Sequence, residues 1–148
     1  MAIEDEQDGV RECSIARTLD VVGEKWTLLA VRELMLGGSR FEQIVRRTGA
    51  PRDILTSRLR KLEENGLVER VRYQTRPDRY EYKLTARGWS LQPVVMMLRE
   101  WGDRHLAGPG GPPMSFEHSC GHLHHSVLAC EACGQIVQRG ELSVLTAG

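Results

Sequence analysis

No stretch of this sequence approaches the run of about 18 apolar residues that a membrane-spanning helix requires. No secretory signal is apparent either, so the cytoplasm is the expected compartment. The chain also lacks a Ser/His/Asp set, a phosphate-cradling glycine loop and a dinucleotide fingerprint, which argues against an enzyme. Net charge is missing too: 20 Lys and Arg balance 20 Asp and Glu. That zero hides a segregation. From Arg40 to Arg87 thirteen basic residues face seven acidic ones, whereas Met1–Glu12 holds five acids and one Arg. A basic segment inside a neutral chain is the electrostatic footprint of an anionic partner, and the acidic end is expected to be disordered. Cysteine is scarce, and Cys13, Cys120, Cys130 and Cys133 are not spaced as a secreted disulfide framework. In a cytosolic chain they point instead to metal or redox chemistry. A length of 148 residues suits one domain with a real core and a small appendage.

What the basic segment contains is a helix-turn-helix pattern. Arg40–Arg47 and Pro51–Asn65 read as two helices joined by Thr48-Gly49-Ala50-Pro51. Gly49 can take the positive φ of a tight helix-helix corner, and Pro51 suits a first helical position. At about 100° per residue, Ile54, Leu55, Leu59 and Leu62 fall on one side of the second helix. Asp53, Thr56, Ser57, Arg60 and Lys61 fall on the other, with Arg52 at the N-terminal edge. In such motifs this helix enters the major groove, where Arg, Ser and Thr reach base edges and phosphates. A solvated helix shows the same polar face, so the following segment matters. Gly66 is the expected C-cap. Leu67–Gln74 and Tyr80–Thr85 then read as two strands around Thr75-Arg76-Pro77-Asp78-Arg79. Tyr80, Tyr82 and Leu84 alternate with Glu81 and Lys83, the period of a half-buried strand. Arg76 and Arg79 would sit at the hairpin tip, placed to meet phosphates or a minor groove.

Three further helices are expected. Ser14–Val22 carries Ile15, Leu19 and Val22 at helical spacing. Glu24–Leu36 is apolar on several faces, as a central helix would be, and ends at Gly37-Gly38. A long helix over Ala86–Leu106 carries the stripe Leu91, Val94, Val95, Leu98 and Trp101, with Thr85 as N-cap. Met96 and Met97 lie off that stripe and suggest a homodimer surface, or alternatively a cap on the core. Trp26, Trp89, Met96, Met97 and Trp101 would permit a small-molecule pocket, but are more simply core. Ala107–Pro113 is a Gly/Pro linker, and residues 114–148 form a Cys/His-rich tail. The fold class is therefore mainly α with a two-stranded β wing, a winged helix-turn-helix over residues 13–106, plus that tail.

Several motifs in order carry a family resemblance. Cys13-Ser-Ile-Ala-Arg-Thr-Leu-Asp-Val-Val-Gly-Glu-Lys-Trp-Thr-Leu-Leu29 resembles the opening of the HxlR-type transcriptional regulators, winged-helix proteins close to the MarR type. Phe41-Glu-Gln-Ile, Leu55-Thr-Ser-Arg-Leu59, Leu62-Glu-Glu-Asn-Gly-Leu67, Tyr82-Lys-Leu-Thr85 and Trp101-Gly102 look like the rest of the pattern. The resemblance covers roughly Cys13 to Leu106. It implies a homodimer built from the first and last helices, bound to double-stranded DNA at a palindromic operator; the leading reading is a regulator, expected to be a repressor, that blocks or alters promoter access. It also implies two recognition helices in successive major grooves. Some members sense oxidants or electrophiles through a Cys just before the first helix, the place Cys13 holds here. A thiolate there is favoured by the helix N-terminus, with Arg11 and Arg17 nearby, although an ordinary helix-start thiol fits as well.

The residues expected to read DNA are Arg52, Thr56, Ser57 and Arg60 in the major groove and Arg76 and Arg79 on the wing. Arg40 and Arg46 would hold phosphates, and Arg58, near the apolar boundary, would be structural. In the tail, His118-Ser-Cys120-Gly-His122 and Cys130-Glu-Ala-Cys133-Gly134 resemble two zinc-knuckle turns. Cys120, Cys130 and Cys133 with His118 (or His122) would make a tetrahedral set, with His124 and His125 in reserve and a short hairpin around Leu123, Val127 and Leu128 between the halves. Redox thiols or a tail without any site are the alternatives. Glu131 between two cysteines could suggest a zinc hydrolase, but four available ligands would close the site. The competing function is a winged-helix interaction module that docks partners through the tail.

Overall fold

A computed structural model of the chain describes residues 11–145. The expected disordered acidic segment therefore lies almost wholly outside the described residues. The helices are α1 (Ser14–Val22), α2 (Lys25–Met35), α3 (Phe41–Thr48), α4 (Arg52–Glu64), α5 (Ala86–Trp89) and α6 (Gln92–His105). Between α4 and α5 lie strands β1 (Val68–Thr75) and β2 (Asp78–Leu84), paired antiparallel from Val68 against Leu84 to Thr75 against Asp78. The chain divides into two compact units, one over Glu12–Met96 and one that includes residues 97–145.

In the first unit the apolar spacing of α4 works as its sequence dictates. Leu55, Leu59 and Leu62 are essentially closed to solvent, joined by Ala30, Val31 and Leu34 of α2 and Ile44 of α3. Burying each such Leu contributes about 1.5–3 kcal/mol. Helix α2 packs against both α3 and α4, the central place its apolar faces require. Gly49 takes φ +74° at the α3–α4 corner. There Thr48 Oγ1 donates to the Ile44 carbonyl (2.6 Å) and accepts from the Ala50 amide (3.1 Å). Pro51 lies one place earlier than expected: with ψ 137° it is the N-cap of α4, not its first helical residue. Similarly Asn65 is the C-cap of α4, and Gly66 follows it at φ +70°.

The wing is anchored at its base. Tyr82 N donates to the Ser39 carbonyl (2.7 Å), tying the α2–α3 loop to β2, and Thr85 N donates to the Leu67 carbonyl (3.1 Å). The expected alternation along β2 is incomplete, because Glu81 is half-buried like its tyrosine neighbours. Its carboxylate binds Lys83 Nζ at 3.0 Å and the Ser39 hydroxyl at 3.4 Å. These contacts, Lys83 foremost, hold its pKa below the usual carboxylate value. A register shift between Arg72 and Gln74 places a bulge at Tyr73.

The single helix expected over Ala86–Leu106 is broken at Ser90–Leu91. Pro93 has no N–H to donate to the Trp89 carbonyl, and Ser90 Oγ binds the Arg87 carbonyl at 2.5 Å, so the backbone restarts as α6. The expected stripe splits with it. Leu91 and Val95 pack against the core, while Val94, Leu98 and Trp101 are exposed by 42, 54 and 58%. In α1 only Val22 is buried, and Ile15 and Leu19 stand in solvent.

Candidate nucleic-acid interface

Helix α4 presents Arg52, Asp53, Thr56, Ser57 and Arg60 to solvent along the face opposite its leucines. Anchoring of the buried face fixes the rotation of the helix, and therefore which side chains project. Arg60 enters no ion pair or side-chain hydrogen bond among the described residues, so its five donors are available to a ligand. Thr56 Oγ1 is bound to the Arg52 carbonyl at 2.8 Å, which leaves its lone pairs outward. Arg52 differs from expectation. Its guanidinium makes two bonds to Glu42 of α3, at 2.6 and 2.8 Å, and lies 5.2 Å from the Phe41 ring. That pairing pulls the Glu42 carboxyl below its ordinary pKa and raises the Arg52 guanidinium. Arg52 is accordingly held across the helix pair, whereas Arg60 projects to solvent.

Lys61, expected on the polar face, is half-buried and donates to the Asp20 carbonyl of α1 at 2.5 Å. Arg58 ion-pairs with Glu24 and is only 24% exposed, in keeping with a structural role. Of the phosphate candidates, Arg46 on α3 is exposed, and Arg40, the N-cap of α3, lies 4.7 Å from the Tyr73 ring on the wing. Arg76 and Arg79 are exposed at the hairpin tip with no ion pair among the described residues. Two wing residues escaped the sequence reading. Arg70 and Arg72, two apart on β1 and so on one face, are both exposed. Arg70 lies 4.4 Å from the Tyr80 ring, and Arg72 pairs with Asp78 at 3.5 Å. The signal that could have found them is the i, i+2 spacing of two arginines in a strand.

Cys13 is the N-cap of α1 and half-buried. Arg17 pairs with Glu12 at 2.8 Å. The tail forms two separate turns. One is closed by the bridge Glu117–Leu123 and holds Cys120 beside His122, with Sγ 3.6 Å from Nδ1. In it His118 Nδ1 accepts from the Cys120 amide at 3.2 Å. The other, closed by the bridge Ala129–Ile136, holds Cys130 and Cys133. Among the described residues no three His, Cys, Asp or Glu side chains gather closely enough to hold a metal ion, so the expected zinc ligands stand as two half-sets. Among the described residues between the turns no strand pair forms the expected short hairpin, and Leu123, Val127 and Leu128 are all more than half exposed.

The segment between the turns lies on α6. Ser126 N donates to Glu100 Oε2 (3.0 Å), Arg99 Nη2 donates to the His124 carbonyl (3.1 Å), and the Arg99 guanidinium lies 4.9 Å from the Phe116 ring. The Ser126 amide, then Arg104 and His125, hold the Glu100 carboxyl below its usual pKa. A cavity of about 310 Å³ opens beside these groups, lined by Arg99, Glu100, Asp103, Arg104, Phe116 and His124 among others. Its charged lining differs from the apolar pocket suggested by Trp26, Trp89, Met96, Met97 and Trp101. Of these, Trp26 packs against the core, while Trp89 and Trp101 are exposed.

Residues 21–108 match the family of HxlR-like helix-turn-helix proteins. Over 136 residues the chain is 43% identical to an HTH-type transcriptional regulator of Mycobacterium bovis, Mb3122, covering 91% of this chain and 86% of that one. The crystal structure of PA1607 superposes with a TM-score of 0.80 at 28% identity, over 91% of this chain and 95% of that one. The oxidised form of the redox regulator HypR superposes with a TM-score of 0.60 at 35% identity, over 65% of this chain and all of HypR. Among the described residues no helix is long and apolar enough to cross a membrane.

Proposed function

The chain belongs to the HxlR-like helix-turn-helix family of transcriptional regulators, and on that premise we propose that it represses transcription as a homodimer on a palindromic operator. The observation that carries this reading is α4: its leucines are sealed into the core, while Thr56, Ser57 and Arg60 project together from the opposite face. Arg60 reads a base edge, Thr56 and Ser57 contact bases or phosphates, and Arg76 and Arg79 follow the backbone from the wing. Arg46 on α3 and Arg40 at its N-cap add phosphate contacts.

Dimerisation is supported by apolar surface that a lone chain leaves open. Ile15 and Leu19 on α1 are exposed, as are Val94, Met97, Leu98 and Trp101 at helical spacing on α6. Covering such surface is favourable by roughly 25 cal/mol per Å² of apolar area. An oxidant response through Cys13 is supported by its N-cap position and by the likeness to a redox regulator.

Footprinting on the chain's own upstream DNA, with the mass of the complex measured in parallel, tests the proposal. The expected result is a symmetric protected site holding two chains, released by a thiol oxidant in the native chain but not in Cys13→Ser. A single chain per site removes the dimer, and equal release of both chains removes Cys13 as the sensor. Absence of any protected site would favour the interaction-module reading.

A further inference from the structure

We propose that the cavity beside α6 binds a small organic carboxylate with an apolar body, an effector site separate from Cys13 and from the DNA-reading face of α4. The cavity measures about 310 Å³, at the lower end of the roughly 300–1,000 Å³ of small-molecule pockets. All of its lining falls between Arg99 and His125, within one compact unit. Most of that lining, from Pro112 onward, lies beyond the residues 21–108 that match the family.

The lining combines two chemistries. Pro112, Met114, Phe116 and Leu123 supply apolar surface. Helix α6 supplies two ion pairs at (i, i+4) spacing, Arg99 with Asp103 and Glu100 with Arg104. Their charges cancel, so net charge does not select the ligand. Hydrogen-bonding capacity does. Glu100 is buried, and both its oxygens are engaged. Oε1 meets Arg104 Nε at 3.1 Å and His125 Nδ1 at 3.4 Å, and Oε2 accepts from Ser126 N at 3.0 Å. Asp103 Oδ2 lies 3.3 Å from Arg99 Nε.

Donors are left over. Arg99 Nη1 is buried and has no hydrogen-bond partner among the described residues. A buried donor of this kind is normally satisfied, so an acceptor entering the cavity has a ready partner. The guanidinium is held in place by its Nη2 bond to the His124 carbonyl (3.1 Å) and by the Phe116 ring at 4.9 Å. Arg104 engages Glu100 through Nε, and its side chain is 61% exposed. Guanidinium groups only donate, and the planar carboxylate is the acceptor whose two oxygens match their fork. One negative charge also suits a lining of cancelled charges better than a phosphate dianion does. The apolar body of the ligand would cover the Pro112, Met114 and Leu123 surface. An occupant there touches both α6 and the segment 112–125, and so fastens one to the other.

Isothermal titration of the full chain with phenylacetate tests the proposal, with hexanoate as a flexible carboxylate and phenylacetamide as the uncharged isostere. The expected result is one carboxylate per chain with a Kd of about 1 mM or tighter, and phenylacetamide weaker by about tenfold or more. Amide NMR signals of Ser115, Phe116, His124 and His125 should move during the titration, while those of Thr56 and Ser57 stay. Arg104→Gln should weaken binding by about tenfold, whereas Arg139→Gln, at an exposed arginine outside the cavity, should leave it unchanged. The comparison of acid with amide needs no variant, so it stands even if Arg104→Gln disturbs the tail. No saturable binding of either carboxylate, equal affinity for the amide, equal losses in the two arginine variants, or signal shifts confined to α4 and the wing would each overturn the proposal.

Discussion

Replacing Gly88 by Ala sets two physical effects of known size against each other. In a helix Ala is favoured over Gly by about 0.5–1 kcal/mol. At Gly88, however, a Cβ would lie 2.0 Å from the Leu67 carbonyl oxygen and 2.9 Å from Leu84 Cδ2. Ordinary contacts begin near 3.4 Å, so the backbone at Leu67 has to move by more than 1 Å. That carbonyl accepts from Thr85 N, and Leu67 N donates to the Leu62 carbonyl. Moving Leu67 weakens both bonds, at about 1 kcal/mol each, and displaces a buried side chain, at about 1–3 kcal/mol for an overpacked site. The clash wins, and Gly88→Ala should destabilise the chain by about 2–4 kcal/mol. With a urea dependence of about 1–3 kcal/mol per molar, the unfolding midpoint should fall by roughly 1–2 M. Urea titration at fixed protein concentration, followed by the fluorescence of core-packed Trp26, measures it. A loss below about 0.5 kcal/mol, or a gain, would show that the close packing of α5 on the wing base is not as described.

Arg60→Ala should weaken binding to the specific site by about 1–3 kcal/mol and leave non-specific binding nearly unchanged, as competition gel shifts would show. Arg79→Ala should instead lower affinity for all sequences alike and reduce the salt slope by about one, read from titrations at several ionic strengths. The Glu100 carboxyl, whose pKa is lowered in the folded chain, ties down the Ser126 amide only while ionised. Its contribution is therefore complete above the ordinary carboxylate pKa and is lost as pH falls through the lowered value. Protection of the Ser126 amide from hydrogen exchange, relative to its intrinsic rate, should fall in that acid window, and Glu100→Gln should show lower protection already at neutral pH with no further acid step.

Local patterns were legible where the physics is local. The limits of α1 followed from the periodicity of Ile15, Leu19 and Val22, although Val22 alone proves buried. The buried face of α4 followed from Leu55, Leu59 and Leu62, and the α3–α4 corner from Gly49. What stayed illegible depends on partners distant in sequence. Arg52 is taken by Glu42 ten residues earlier, and Lys61 by a carbonyl forty-one residues earlier. The break at Ser90–Leu91 was hidden because Pro93 is tolerated in the first turn of a new helix as readily as it interrupts an old one. In the tail each glycine-closed turn was readable, but whether the two turns meet depends on the chain between them. That segment is held on α6 by Glu100 and Arg99, pairings that no spacing rule announces.

The measurement that bears most directly on the central claim is fluorescence anisotropy of the native chain on its own upstream DNA against a scrambled duplex, at about 0.15 M salt. The site should bind at least about 10³-fold more tightly than the scrambled sequence, and Arg60→Ala should shrink that ratio. Equal affinity for both duplexes, unaltered by Arg60→Ala, would contradict a DNA-reading role for α4.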